Sequence, residues 1–303
     1  MKPLVSIITL NWNRKDDVAR TLSLIQEQTY EPKEILMVDN GSTDGSVDLI
    51  RSSFPDVKVI ALPKNTGVQG YNEGISAASG SIILLIDNDM DLLQKNTLDI
   101  IVEAFNQNPK LGAAALQVRE LNDNLSPNNP KYWNEKGNDR EGYPSSTFDG
   151  GGVAFRKDVL AQTGGYLPDF FVYHSEVDLA TRIWDAGFEI RHFPGVAVRH
   201  RESNVARDLY RQTMYSTRNY FWYVWIYYPG NMILGESLHF LQRNLIQNFR
   251  KGRSVSACIH GTFAALAGWP RIKRQRRPAK RETIEWMQLL RKKDTERKKS
   301  EKN

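Results

Sequence analysis

Apolar residues recur along the first third of the chain in two rhythms that take turns. Val5-Ser6-Ile7-Ile8-Thr9-Leu10-Asn11 is a short β-branched run and predicts a buried strand. From Arg14 to Gln28 the apolar positions Val18, Leu22 and Ile25 fall on one helical stripe. Glu34 to Asp39 predicts a second strand, and Asn40-Gly41-Ser42-Thr43-Asp44-Gly45-Ser46 a turn that caps the next helix. Val57 to Leu62 predicts a third strand, followed by Asn65 to Gly74 leading into a short helix. Ser81 to Ile86 is uninterrupted and apolar, so it predicts a central strand buried on both faces, and it runs into Asp87, Asp89 and Asp91 at alternate positions. Strands alternating with helices at this spacing predict an α/β fold with a mostly parallel sheet and right-handed crossovers.

The pattern then loosens. A helix from Asn96 to Gln107 leads to a strand from Leu111 to Val118, and residues 120 to 148 are polar and rich in Asn, Pro and Gly, as in a binding loop or a disordered segment. Asp149 to Arg156 returns to strand. Tyr166 to Gly187 is an aromatic approach followed by a helix with Glu176 and Asp178 in its first turn, where the helix dipole favours carboxylates in any protein. Phe188 to Phe193 and Val196 to His200 predict two short edge strands. Beyond Glu202 the pattern is helical, with a very aromatic run from Tyr220 to Tyr228 and a stripe of Leu234, Leu238, Leu241, Leu245 and Phe249. That stripe packs on the preceding domain or lies in a membrane interface next to Arg250-Lys251-Gly252-Arg253 and the basic 271 to 281 region. Val255 to Trp269 is apolar but broken by polar residues and too short to span a bilayer. The expected organisation is a catalytic domain over 1–204, a helical, membrane-associating extension over 205–290, and a disordered basic tail over 291–303.

Composition narrows the classes. The single cysteine, Cys258, excludes a disulfide framework and a Cys-rich zinc site. With a start that runs straight into strand pattern, this predicts a cytoplasmic protein, peripheral at the inner face of the cell membrane. The net charge of +6 belongs to the end of the chain: residues 271–303 hold 14 Lys and Arg against 5 Asp and Glu, and the remainder 27 against 30. A fold that reads nucleic acid carries its positive charge on the fold itself, so the tail points to an anionic membrane surface and no nucleic-acid partner is expected. Gly67, Gly70 and Gly74 do not make the dinucleotide fingerprint, and no phosphate-loop motif occurs, so hydride transfer and P-loop chemistry are disfavoured.

The acids that end the fourth strand fall where open α/β sheets bind ligands, and two hard carboxylates there suit a divalent cation. Taken together, several motifs in one order resemble the family 2 glycosyltransferases of GT-A fold, over roughly residues 4 to 202. They are the first strand Val5 to Asn11, the Val38 to Ser46 turn, Asn65-Thr66-Gly67 with Asn72-Glu73-Gly74, Asp87-Asn88-Asp89, Glu176-Val177-Asp178-Leu179 and Arg199-His200. With the helical extension, the chain looks like transferases of bacterial surface-polysaccharide assembly, rhamnosyltransferases among them.

The resemblance implies roles residue by residue. Thr9, Asn11 and Asp39 match positions lining the nucleotide base pocket, with Asn65 and Asn72 near it, and a carboxylate at Asp39 would favour a pyrimidine such as UDP or dTDP. Asp87 matches the acid that reaches the ribose or metal-bound water, Asp89 the direct ligand of Mg²⁺ or Mn²⁺, and His200 the third metal contact. Where the family shows Glu-Asp at the helix start this chain reads Ser175-Glu176, so Glu176 is the expected base and Asp178 the reserve. The chemistry implied is one in-line displacement with inversion: a cation neutralises the leaving diphosphate, and one carboxylate takes the proton of the acceptor hydroxyl on a glycan or lipid-linked acceptor. The rivals are a sugar nucleotidyltransferase, which would want a Gly-rich, Arg-containing loop after the first strand where Asn11-Trp12-Asn13-Arg14 stands, and a catalytically silent membrane-associated module on the same fold.

Overall fold

The alternation of the first strand sorts its side chains onto two faces, and each face finds its own apolar cluster. In a computed structural model, which describes residues 2–120, 141–201, 208–250, 252 and 254–300 (side chains through 293), β1 (Val5–Asn11) lies parallel between β2 (Lys33–Asp39) and β4 (Ile82–Asp87). β3 (Val57–Ala61) adds to β2, also parallel. α1 (Lys15–Gln26), α2 (Ser46–Ser53) and α4 (Thr97–Gln107) cover one face through Val18, Leu22, Ile25, Ile50 and Leu98. α3 (Gly70–Ala77), α5 (Lys157–Thr163) and α6 (Ser175–Asp185) cover the other through Tyr71, Leu160, Leu179 and Ile183. The predicted βαβα half is present, and β4 is buried on both faces as its uninterrupted pattern requires.

Past β4 the sheet changes direction. β8 (Gly152–Arg156) is antiparallel between β4 and β6 (Leu111–Arg119), and β9 (Glu189–His200) runs parallel to β6 with β5 (Met90–Leu92) and β7 (Tyr143–Pro144) antiparallel against it. The order is β3-β2-β1-β4-β8-β6-β9-β5. The two edge strands expected at 188–193 and 196–200 are one continuous strand inside the sheet. A register shift between Leu116 and Gln117 absorbs Pro194, Gly195 and Val196, so pairing resumes on the far side of the interruption. Most of the polar stretch expected to be a loop, 120 to 148, lies outside the described residues.

His192 of β9 is 1% exposed, and its Nε2 has no hydrogen-bond partner among the described residues. Burial holds its pKa down at about 3. The unfolded chain takes up a proton near pH 6.5 that the native chain refuses until about pH 3, so this group costs stability as pH falls through that window. Between pH 7.5 and pH 5 its contribution is expected to be a loss of about 2 kcal/mol. Denaturant melts of wild type and His192→Gln at both pH values check it: the variant should lose less on acidification, and equal losses would remove His192 as the cause.

Four helices follow the sheet: α7 (Leu209–Tyr227), α8 (Gly230–Arg250), α9 (Val255–Ile272) and α10 (Arg281–Ser300). The aromatic run of α7 is core: Tyr220, Phe221, Trp222, Tyr223 and Tyr227 are buried with Phe170, Phe240 and Ile284. Asp208 caps α7, its side chain accepting from the backbone N–H of Tyr210 and Arg211. α10 packs on α6 and sends Met287 into the cluster beneath the sheet, and its helix continues to Ser300, within the stretch expected to be a disordered tail.

Candidate active site

Parallel pairing puts the ends of β1 and β4 side by side, with Leu10 opposite Asp87, so residues just past both strands share one sheet edge. The chain past β1 supplies Arg14 and the chain past β4 supplies Asp87-Asn88-Asp89. Asn88 donates from Nδ2 to Asn11 Oδ1 at 2.8 Å, and its carbonyl accepts from Thr21 Oγ1 at 2.8 Å, which fixes the turn that carries both acids. Arg201, buried just past β9, donates from Nη2 to the same carbonyl at 3.0 Å and to Thr21 at 2.7 Å, and pairs through Nη1 with Asp91. Arg20 also holds Asp91, at 2.8 Å. The third acid of the run is therefore a brace for the turn.

Asp87 and Asp89 meet different surroundings. Tyr71 donates its hydroxyl to Asp87 Oδ1 at 2.6 Å, yet burial, with the charges of Asp89, Asp149 and Glu176, lifts the Asp87 pKa to about 7. Burial pushes Asp89 the same way, but His200 and the Arg14 guanidinium prevail and hold it below the usual carboxylate range. Asp89 Oδ2 lies 3.2 Å from His200 Nε2 and 2.5 Å from Arg14 Nη1. His200 reaches Asp89 because it stands opposite Met90 in the β5–β9 ladder, and its hydrogen bond to Asp89 raises its own pKa.

A cleft of about 480 Å³ opens at this edge. Asn11, Asn65, Asp87 and Asp89 line it. Asn65 Oδ1 accepts from the N–H of Gly67 at 2.8 Å, holding a turn in which Gly67 has φ 65°. A Cβ there would lie 2.0 Å from the carbonyl oxygen of Phe171, so only glycine fits this position. The far wall comes from the extension: Arg211, Gln212 and Tyr215 of α7 line the same cleft.

Other expected residues stand behind the wall. The Asp39 carboxylate is buried and occupied by Asn11 Nδ2 at 3.0 Å and the N–H of Ser42 at 2.8 Å, so it positions Asn11. Thr9 is buried on the Ile7 face of β1, its Oγ1 without a partner among the described residues. Asn72 departs furthest from expectation. Its amide clamps the backbone of Tyr166, accepting from the N–H and donating to the carbonyl at 2.8 Å each, which commits one of its donors and one of its lone pairs to the chain.

The two base candidates also separate. Asp178 is 0% exposed and holds Arg182 Nη2 within α6 and the Tyr227 hydroxyl of α7 at 2.6 Å each, so one oxygen braces its own helix and the other joins α6 to α7. Glu176 has neither an arginine nor a tyrosine on it among the described residues. Burial raises its pKa, with the charge of Asp149 adding to it, and its Oε1 lies beside Gly150. The backbone that presents it is strained: Tyr173 and His174 both have φ 64°. Asn219 of α7 secures that bend, donating to the carbonyls of Val172 at 2.7 Å and Tyr173 at 2.9 Å. Arg14, Tyr71, Arg201 and Asn219 were not singled out by sequence pattern. Only Arg14 had a usable signal, its place just past a strand that must neighbour the acid-bearing one.

Among the described residues no three His, Cys, Asp or Glu side chains converge closely enough to hold an ion by themselves. The donor set nonetheless fits a hard divalent cation that also takes oxygens from a ligand. Burial, with the charge of Asp89 adding to it, holds the Asp87 pKa at about 7 beside an ionised Asp89, and a cationic guanidinium already sits on the Asp89 oxygen.

A model described as glycosyl transferase family 2 matches residues 6–164. An uncharacterized glycosyltransferase of Nostoc is 33% identical over 112 residues, 36% of this chain and 34% of that protein, so the match spans about a third of the relative's length. An N-acetylglucosaminyl-diphospho-decaprenol L-rhamnosyltransferase of Mycobacterium tuberculosis is 20% identical over 240 residues, 67% of this chain and 78% of that protein. Among solved structures, the mannosyltransferase PcManGT of Pyrobaculum calidifontis, in complex with GDP-Man and Mn²⁺, superposes with a TM-score of 0.59 at 20% identity, covering 96% of this chain and 84% of its own. That likeness identifies the fold as GT-A, as the βαβα half and its acid-bearing edge led us to expect. With a family model matched over more than half its length, the chain belongs to glycosyl transferase family 2.

Proposed function

We propose that the chain transfers a sugar from a nucleoside-diphosphate donor, UDP- or dTDP-linked, to a hydroxyl of a glycan or lipid-linked acceptor, with inversion, in the assembly of a cell-surface polysaccharide. The observation that carries this reading is the pairing of an Asp87/Asp89 edge with a carboxyl, Glu176, that burial holds at raised proton affinity, that makes no ion pair among the described residues and that lies close enough to perturb Asp87. Asp89, Asp87 and His200 would hold Mg²⁺ or Mn²⁺, which supplies charge neutralisation at the departing diphosphate. Arg14, which is held on Asp89, would serve as a second cation for the diphosphate. Asn11 and Asn65 bound the nucleotide end of the cleft, with Asp39 and Thr9 behind them, while Arg211 and Tyr215 bound the other end. Glu176 takes the proton of the acceptor hydroxyl as it attacks the anomeric carbon.

In this reading residues 1–204 form the catalytic domain and 205–290 an extension that completes its cleft. A lipid-linked acceptor sets the work at the cytoplasmic face of a membrane, with the extension against an anionic lipid surface. Calorimetry with UDP, dTDP and GDP, with and without Mn²⁺, tests the donor site on wild type and Asp89→Ala. Wild type is expected to bind a pyrimidine nucleotide only with metal, and Asp89→Ala to weaken that binding by about 100-fold or more. Preference for GDP would correct the base, and no binding of any nucleotide would remove the transferase reading.

A further inference from the structure

Two of the C-terminal helices turn apolar side chains outward with no described residue covering them. α8 buries Phe240 and Asn248, yet Leu234 is 70% exposed, Leu238 57% and Phe249 78%, and with Ile246 they share one side of the helix. On α9 the small residues Ala257, Gly261 and Ala265 face inward: a Cβ on Gly261 would lie 2.6 Å from the Met214 carbonyl of α7. The outer stripe is Ile259, Phe263 and Leu266, with Phe263 65% exposed. No charged residue occurs between Val255 and Pro270. A helix face that merely meets water carries charges, so this one is not built for water.

The charge around these stripes is of one sign. Arg243, Arg250, Lys273 and Arg274 are exposed on or beside the two helices, and Arg271, also exposed, is paired with Asp169 at 2.6 Å. Glu236, the single acid from Gly230 through Arg281, is engaged with the Tyr220 hydroxyl of the core. A second copy of the same face would set like charges against like, which argues against a self-complementary dimer. An anionic phospholipid surface offers the opposite charge and an apolar layer at once. No helix among the described residues is long and apolar enough to cross a membrane, so contact would be in the plane of the interface.

We propose that the outer faces of α8 and α9 dock on an anionic phospholipid membrane, with Leu234, Leu238, Phe249 and Phe263 at the headgroup–acyl boundary and the flanking Arg and Lys on lipid phosphates. This deepens the membrane part of the functional reading and does not depend on the transfer chemistry. The test is co-sedimentation of the full chain, without nucleotide, with vesicles of phosphatidylcholine holding about 30 mol % phosphatidylglycerol at about 0.1 M salt.

Wild type is expected to pellet with these vesicles and to stay in solution with phosphatidylcholine alone. Leu238→Glu/Phe263→Glu and, separately, Lys273→Glu/Arg274→Glu should each weaken binding about tenfold or more with an unchanged Tm, since all four positions are exposed. Three results would overturn the proposal: wild type left in the supernatant, either double variant binding like wild type, or light scattering that shows a dimer which Leu238→Glu/Phe263→Glu dissociates. Vesicle binding without nucleotide binding would sink the transferase reading alone. Nucleotide binding without vesicle binding would sink this inference alone.

Discussion

Glu176→Gln is expected to lower kcat by about 10²- to 10⁴-fold while metal-dependent nucleotide binding stays as in wild type. The substitution removes a proton acceptor and little else, because no described residue is held by this side chain through an ion pair. A base for an alcohol needs a carboxylate whose proton affinity is raised without being neutralised by a cation, and burial beside Asp149 gives Glu176 that character. Asp149 is the control. Asp149→Asn should lower the proton affinity of Glu176 by withdrawing a neighbouring charge, a smaller loss than removing the base itself. Steady-state kinetics with the donor identified by calorimetry, alongside donor affinity for each variant, separates the cases. Full turnover by Glu176→Gln would remove it as the base, and a larger loss in Asp149→Asn than in Glu176→Gln would move the base to Asp149.

The strained bend before α6 belongs to the same argument. Two consecutive non-glycine residues at positive φ cost about 1–3 kcal/mol each, and they persist because Asn219 holds the carbonyls on that bend from another helix. The extension thus supplies a cleft wall through Arg211 and Tyr215 and fixes the geometry of the residue proposed as base.

What could be read without coordinates follows from how local each signal is. The first four strands and their helices were legible because burial on two faces leaves a contiguous apolar run, and the Asp87-Asn88-Asp89 edge because it ends such a run. The direction of β8 was not, since a glycine-rich strand has the same pattern whether it pairs parallel or antiparallel. β9 was divided at Pro194-Gly195, because a break in local pattern does not reveal that the ladder shifts register around it. The roles of Asn72, Asp39 and Asp178 escaped for one common reason. A polar residue at a motif position reads the same in sequence whether its hydrogen bonds go to a ligand or to the chain, and here they go to the Tyr166 backbone, to Asn11 and Ser42, and to Arg182 and Tyr227. The aromatic run of α7 and the leucine stripe of α8 looked equally suited to an interface, but the first is the core between α7, α8 and α10 and the second is exposed.

Asp178→Ala is expected to destabilise the chain by about 3–5 kcal/mol, lowering Tm by about 10 °C. It leaves the buried Arg182 guanidinium without its counter-charge and the Tyr227 hydroxyl without its acceptor. Arg182 retains only neutral acceptors, the carbonyls of Thr163, Gly164 and Gly165. Asp178→Asn keeps one acceptor oxygen and should therefore lose less, and the comparison separates structure from chemistry. If Asp178 only joins α6 to α7, Asp178→Asn remains active wherever it remains folded, and its kcat does not follow its Tm. If instead Asp178→Asn melts like wild type and fails to turn over while Glu176→Gln is active, the base is Asp178, and the Arg182 and Tyr227 contacts must open before the reaction. Thermal melts and single-turnover rates on the four proteins decide between these, because a structural brace and a proton acceptor at neighbouring positions of one helix cannot give the same pair of numbers.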